Sequence, residues 1–379
     1  MKYYIVAGEP SGDLHGSNLM RELKTLDANA DFRFFGGDLM AAQGGTLVKH
    51  YRELAFMGVF EVVMNFRTIK RNMAQCQRDL MAYRPDVLIL IDYPGFNLRI
   101  AEFAKKNGVK VFYYISPKLW AWNTGRVKKI KKYVDRLFTI LPFETQFYAR
   151  YGIEVDYSGN PVLDAIDARP NKHEDMAVFK LRNGLDHRPI VAVLAGSRKQ
   201  ELSWVLPDML KMIPKFPGYQ FVIAGAPSFS MADYRAYIDG YDIKVLFDQT
   251  YQLVQHARAA MVTSGTATLE TALLNCPQVV CYRMWGGNFS DYIAKRFIIK
   301  VRFISLVNLI LDREGVRELF QKNFTVGALE HELGALLEND GRRKQIFADY
   351  EELHRLMGQP GSSRKTAGLM WKRLEDGRK

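Results

Sequence analysis

Short apolar runs, each followed by a longer amphipathic stretch, recur in two series along this chain, and few architectures accept that pattern. The first series comprises residues 3–7, 86–91 (DVLILI), 110–115 (KVFYYI) and 136–140. The second comprises residues 190–194 (IVAVL), 219–224 (YQFVIA), 243–247, 259–263 and 278–282. The runs are rich in β-branched and aromatic residues and lack strict alternation, as strands do when both faces of their sheet are covered. Stretches at 14–26, 68–82 and 98–106 have helical spacing. Strand–helix alternation on this scale implies an α/β fold with parallel sheets. The pattern pauses between about Pro161 and Pro189, in a polar stretch that includes Arg169, Lys172, Glu174 and Asp175. A chain of 379 residues also exceeds what one core usually holds. The expected organisation is therefore two Rossmann-like domains, 1–165 and 175–345, whose sheets face each other across a cleft. A helical, basic tail at 346–379 is expected to pack back on the N-terminal domain or on a partner subunit.

Composition narrows the function classes. No apolar run approaches the ~20 residues needed to span a bilayer. The first apolar run is too short for a signal peptide and reads as a buried strand. Three cysteines, Cys76, Cys276 and Cys281, form no CxxC pair and argue against a disulfide framework, which makes the cytoplasm the natural compartment. A net charge of +12 suits an anionic partner, and nucleic acid, a membrane surface and phosphorylated substrates all satisfy it.

Ligands of open α/β sheets bind beyond the carboxyl ends of the strands, so the loops there carry the functional signal. GEPSGD (residues 8–13) follows the first run; it is neither GxGxxG nor a P-loop. It offers Glu9, Ser11 and Asp13 as site candidates, or else a tight turn in which Ser11 or Asp13 caps a helix. Asp92 directly follows DVLILI, and Asn97 is placed to cap a helix starting at Leu98. A carboxylate at a strand end is a candidate general base; an Asx-turn is the alternative. Gly196, Ser197 and Arg198 follow IVAVL, offering backbone N–H groups and a guanidinium to a phosphate. Ser264, Gly265 and Thr266 open a helix after residues 259–263, a ready anion site. Glu270 lies on the same helix face, within reach of a ribose diol. The last two loops together are moderately specific for a nucleoside diphosphate.

The ensemble resembles the lipid-A-disaccharide synthase family. The likeness rests on GEPSGD (8–13), IDYPGFN (91–97), SPKLWAW (116–122), LPFE (141–144), AGSR (195–198), TSGTATLE (263–270), YRM (282–284) and SLVNLI (305–310). The resemblance implies the GT-B architecture. It also implies an inverting hexosyl transfer that joins UDP-2,3-diacylglucosamine to 2,3-diacylglucosamine 1-phosphate through a β-1,6 bond, releasing UDP, with no cofactor and no metal. Carried onto this sequence, Asp92 is the essential aspartate. UDP falls to Gly196, Ser197, Arg198, Ser264, Gly265, Thr266 and Glu270. Glu9, Ser11, Asp13, Asn97, Trp120 and Asn308 are further candidates for the acceptor side. The sequence departs from the family at Gly95, Ala195 and Asn160, so those positions receive no role.

Both sugars carry acyl chains, which calls for apolar and basic surface. Residues 56–66 are apolar nearly all round if helical, giving either a buried helix or an acyl-chain or membrane-docking surface. The basic segment at 126–132 is either a solvated face or an attraction to anionic lipid. The expected location is thus the cytoplasmic face of the inner membrane, peripherally attached, with a homodimer allowed for and no nucleic-acid partner. Competing readings are another UDP-sugar enzyme, such as a peptidoglycan-type transferase or a UDP-N-acetylglucosamine 2-epimerase, and a basic nucleic-acid-binding α/β protein.

Overall fold

The computed structural model describes residues 1–54, 66–117, 119–120, 124–263, 265–283 and 302–376. The apolar segment at 56–65 and Trp122 lie outside the described residues. The chain divides into two compact units, Met1–Asp164 with Gln359–Lys379, and Ala165–Gly358.

In the first unit the strands are β1 (Lys2–Ala7), β2 (Asp31–Gly36), β3 (Thr46–His50), β4 (Val87–Ile91), β5 (Val111–Tyr114), β6 (Arg136–Thr139) and β7 (Val155–Tyr157). They form a wholly parallel sheet in the order β3-β2-β1-β4-β5-β6-β7. The second unit has β8 (Ile190–Leu194), β9 (Gln220–Gly225), β10 (Lys244–Phe247), β11 (Ala257–Thr263), β12 (Gln278–Tyr282) and β13 (Arg317–Phe320). These also run parallel, in the order β10-β9-β8-β11-β12-β13.

The unbroken apolar runs are explained by burial on both faces. Tyr3, Ile5 and Ala7 enter one core together with Val87, Ile89 and Ile91, while Tyr4, Val6, Leu88 and Leu90 enter the other. Strands β2, β3, β7 and β13 carry no comparable run and escape a sequence reading. Lys49, Arg33, Asp156 and Glu318 interrupt them with charge, and their pairing is set by the neighbouring strand.

Two helices begin four residues earlier than their apolar spacing suggests, at Pro10–Leu26 and Pro94–Lys106. Proline at the first helical position has its φ already set, and the N–H it lacks has no intrahelical partner there. The second unit runs to Gly358, so helix Asp340–Met357 belongs to it rather than to a tail beginning at 346. Only the last helix, Ser362–Asp376, returns to the first unit. Its Ala367, Met370 and Leu374 share a core with Leu19, Met20 and Leu23 of Pro10–Leu26. Asp164 fastens its start, accepting from the N–H groups of Gly361 (2.6 Å), Ser362 (3.1 Å) and Ser363 (2.8 Å). A carboxylate at a helix N-terminus satisfies orphan donors and meets the positive end of the dipole.

Among the described residues no helix is long and apolar enough to cross a membrane. Helix Val127–Tyr133 buries Val127, Ile130 and Tyr133 and leaves Lys128, Lys129, Lys131 and Lys132 exposed.

Candidate active site

In each sheet the strand order reverses at one place. It does so between β1 and β4 in the first unit and between β8 and β11 in the second. Such switch points open a crevice at the strands' carboxyl ends, because successive crossovers leave in opposite directions. The four loops singled out by sequence follow these four strands: GEPSGD follows β1, Asp92 follows β4, AGSR follows β8, and TSGTATLE spans the end of β11.

At the first switch point the chain turns sharply. Asp92 (φ +43°) and Tyr93 (φ +48°) are consecutive left-handed residues, a conformation that costs a side chain such as tyrosine about 1–2 kcal/mol and aspartate less. Surrounding bonds hold it in place. The Asp92 carbonyl accepts from Asn97 Nδ2 (2.7 Å) and from the Tyr113 hydroxyl (2.6 Å), while its N–H donates to the Tyr114 carbonyl (3.2 Å). Asp92 itself is half-buried. The Tyr93 ring covers Gly8, where an added Cβ would lie 2.3 Å from a ring carbon, so β1's loop must be glycine at that point. Burial, with the Glu9 carboxylate nearby, pushes the Tyr93 phenol up to about 12. Glu9 and Asp92 therefore belong to one turn region. Ser11 is exposed on the first helical turn and caps nothing.

Three sequence candidates are corrected. Asn97 is not a cap for a helix at Leu98: it lies inside the helix, fully buried, and bonds the carbonyls of Ile91 and Asp92. It shapes the turn and has no surface for a sugar. Asp13 is buried, and its carboxylate accepts from the N–H groups of Gly37 (2.7 Å), Leu39 (3.0 Å) and Met40 (3.0 Å). It holds the start of the short helix Asp38–Ala42 and is already spoken for as a base. Asn308 is fully buried and clamps its own loop: Oδ1 accepts from Gly315 and Val316, and Nδ2 donates to the Val316 carbonyl and Glu318.

Trp120 is half-buried and packs edge-on against Phe143 at 5.1 Å. Beside it lies Glu144, a residue that sequence reasoning left without a role. It is fully buried, and its Oε2 accepts from the N–H groups of Ile140 (3.2 Å) and Leu141 (3.0 Å). Burial pushes its carboxyl up to about 7, against the pull of those amides and of Trp120 and Ser116. LPFE contained this signal: a lone acid in an apolar turn.

At the second switch point Gly196 (φ +102°) turns the loop, and a Cβ there would meet the Glu201 carboxylate at 2.6 Å. The loop's N–H groups are not all open, as the sequence suggested. Ser197 N–H donates to Glu201 Oε2 (3.1 Å), and Arg198 Nη1 lies 3.5 Å from Glu201 Oε1. Ser228 Oγ donates to the Ser197 carbonyl (3.0 Å), tying this loop to the end of β9. Burial and the Glu201 carboxylate push the Tyr282 phenol up while Arg198 opposes them, which places all three near the end of β12. Helix Thr266–Leu273 starts on Gly265 with no side-chain cap, and Thr266 is exposed. Ser264 lies outside the described residues. Glu270, half-buried, accepts from the Tyr251 hydroxyl (2.9 Å). Burial pushes its carboxyl up and Tyr251 opposes the rise. Among the described residues no group of three or more His, Cys, Asp or Glu is placed to hold a metal ion.

The family profile described as lipid-A-disaccharide synthetase matches residues 3–371. The chain belongs to this family. It is 37% identical over 377 residues to a lipid-A-disaccharide synthase of Geobacter metallireducens, covering 98% of this chain and 96% of the relative. It is 35% identical over 370 residues to one of Coxiella burnetii, covering 97% and 96%. Solved structures share the fold at far lower identity. A UDP-GlcNAc 2-epimerase of Neisseria meningitidis bound to UDP-GlcNAc superposes with a TM-score of 0.71 at 12% identity, covering 98% of this chain and all of that one. The calicheamicin glycosyltransferase does so with a TM-score of 0.60 at 13% identity, covering 99% and 98%. Membership makes the protein a hexosyltransferase of lipid A disaccharide synthesis with the GT-B architecture, two Rossmann-like domains.

Proposed function

We propose that this protein condenses UDP-2,3-diacylglucosamine with 2,3-diacylglucosamine 1-phosphate to the β-1,6 disaccharide 1-phosphate and UDP. The observation that carries the reading is the division of chemistry between the two sheets. The switch point of the first bears a carboxylate on a strained turn, and that of the second bears a small-residue loop and an uncapped helix start. The first unit would take the acceptor and the second the donor. Asp92 accepts the proton of the acceptor's 6-hydroxyl as that oxygen attacks the anomeric carbon from the face opposite UDP. The anomeric centre passes through an oxocarbenium-like state and inverts. Charge growing on the leaving diphosphate is met by Arg198, the N–H groups at Gly265 and Thr266, and the helix dipole. A phosphate oxygen on the Ser197 amide displaces Glu201 from it, so the loop exchanges one anion for another.

Both substrates are lipids, and the four exposed lysines of Val127–Tyr133 offer a surface for anionic headgroups. One experiment tests both statements. The protein is incubated with the UDP-sugar and with the acceptor carried in anionic vesicles. Disaccharide and UDP should appear together, and the protein should float with the vesicles at low salt and less at high salt. UDP release without disaccharide would refute the reaction, and absence from the vesicle fraction would refute the docking surface.

A further inference from the structure

Tyr251 opens the helix Thr250–His256, which follows the edge strand β10, whereas Glu270 lies on the helix after β11. Helix Thr250–His256 is the crossover from β10 to β11: it runs back over β9 and β8 and packs beside helix Thr266–Leu273, so the bond between Tyr251 and Glu270 joins two neighbouring helices beside the second switch point. A glutamate on a helix surface has three rotatable bonds and no preferred aim. A phenol has a rigid ring and presents its hydroxyl at one place. The 2.9 Å bond from the Tyr251 hydroxyl to Oε1 therefore selects one Glu270 rotamer. It occupies one lone pair of one oxygen, leaving acceptor capacity on both. A ribose diol needs that: two neighbouring hydroxyls, both donors, facing one carboxylate.

We infer that Tyr251 is a positioning residue that holds Glu270 aimed at a ribose diol, and that it thereby sets the preference for a ribonucleotide over a deoxyribonucleotide. The inference rests on the assignment of Glu270 to the nucleotide's ribose. Electrostatics reinforce the geometry. Glu270 accepts from hydroxyls best when ionised, burial disfavours ionisation, and the Tyr251 hydroxyl favours it. Among the described residues Tyr251 is the titratable group that bears on Glu270, and behind Tyr251 lies Arg169, which bonds Gln255. Removing the hydroxyl raises the Glu270 carboxyl further. Nucleotide affinity is then lost at a higher pH as the solution is acidified.

The test is Tyr251→Phe, which keeps the ring and its packing. Calorimetric titration with UDP and 2′-deoxy-UDP should show wild type favouring UDP. In the variant UDP should bind about tenfold more weakly, as expected on losing a bond to a charged group, and 2′-deoxy-UDP almost as before. The acid limb of UDP binding should move to higher pH. Arg198→Ala, by contrast, should weaken both nucleotides alike, because it meets the diphosphate. A double-mutant cycle with Glu270→Gln should be non-additive. If wild type binds the two nucleotides equally, the ribose assignment fails and the inference with it. If wild type discriminates but Tyr251→Phe keeps the same ratio and acid limb, or its effect adds to that of Glu270→Gln, the inference fails while the ribose assignment stands.

Discussion

Replacing Asp92 separates chemistry from folding, because the turn around it makes distinct demands on each substituent. The bonds that hold the turn run through the backbone of residue 92: its carbonyl takes Asn97 and Tyr113, and its N–H reaches Tyr114. Any residue keeps them. Substituents differ in the cost of φ +43°, which asparagine and glycine tolerate and alanine does not. Asp92→Asn should therefore hold stability, and Asp92→Gly should lose less than Asp92→Ala. Asp92→Ala should lose about 1–2 kcal/mol, or about 2–4 °C in melting temperature per kcal/mol for a unit of this size. Turnover should fall in all three by the ~10²–10⁴-fold that a general base contributes, with UDP affinity unchanged because the loops proposed for the nucleotide belong to the other unit. Single-turnover assays of UDP release, beside calorimetric melting, read both quantities. Near-normal turnover in Asp92→Asn would falsify the base assignment, and activity tracking stability across the series would make the residue structural. Glu9, beside Tyr93, is then the next carboxylate to replace.

Two further expectations follow from buried carboxyls. The Glu144 carboxyl sits at about 7 in the fold against about 4.3 in an unfolded chain. Between those values the unfolded state binds fewer protons, so stability falls as pH rises through this window, by a few kcal/mol in all. Glu144→Gln should flatten the curve between pH 4.5 and 8, and superimposable wild-type and variant curves in urea would refute the argument. Asp13→Ala orphans the buried N–H groups of Gly37 and Met40 and should cost about 2–6 kcal/mol, at about 1–3 per orphan. Lost turnover at unchanged stability would instead return Asp13 to the catalytic candidates.

The sequence by itself determined the fold class and which loops leave the sheets' carboxyl edges. Runs such as DVLILI and IVAVL could only be strands covered on both faces, and the period-2 split of β1 and β4 between two cores shows why. A loop after such a strand must emerge at the sheet's carboxyl edge, so Asp92, Gly196 and the loop leading to the helix of Glu270 are legible as edge features from sequence. Strands β2, β3, β7 and β13 were not, since long-range pairing overrides their weak local pattern. The helix starts at Pro10 and Pro94 were misplaced because proline reads equally as a turn and as a first helical residue.

Tertiary structure alone decided which loops flank the switch points, because strand order depends on crossovers and not on local sequence. It also decided which polar side chains were already engaged. Asp13, Asn97 and Asn308 stood beside Asp92 among the site candidates. Each proved to be bonded by backbone groups dozens of residues away or buried in its own turn. Partners of that kind, like Tyr251 for Glu270 and Glu201 for Ser197, come from the folding of the chain onto itself. A buried polar group must be satisfied by whatever the fold brings to it, and only the assembled structure shows what that is.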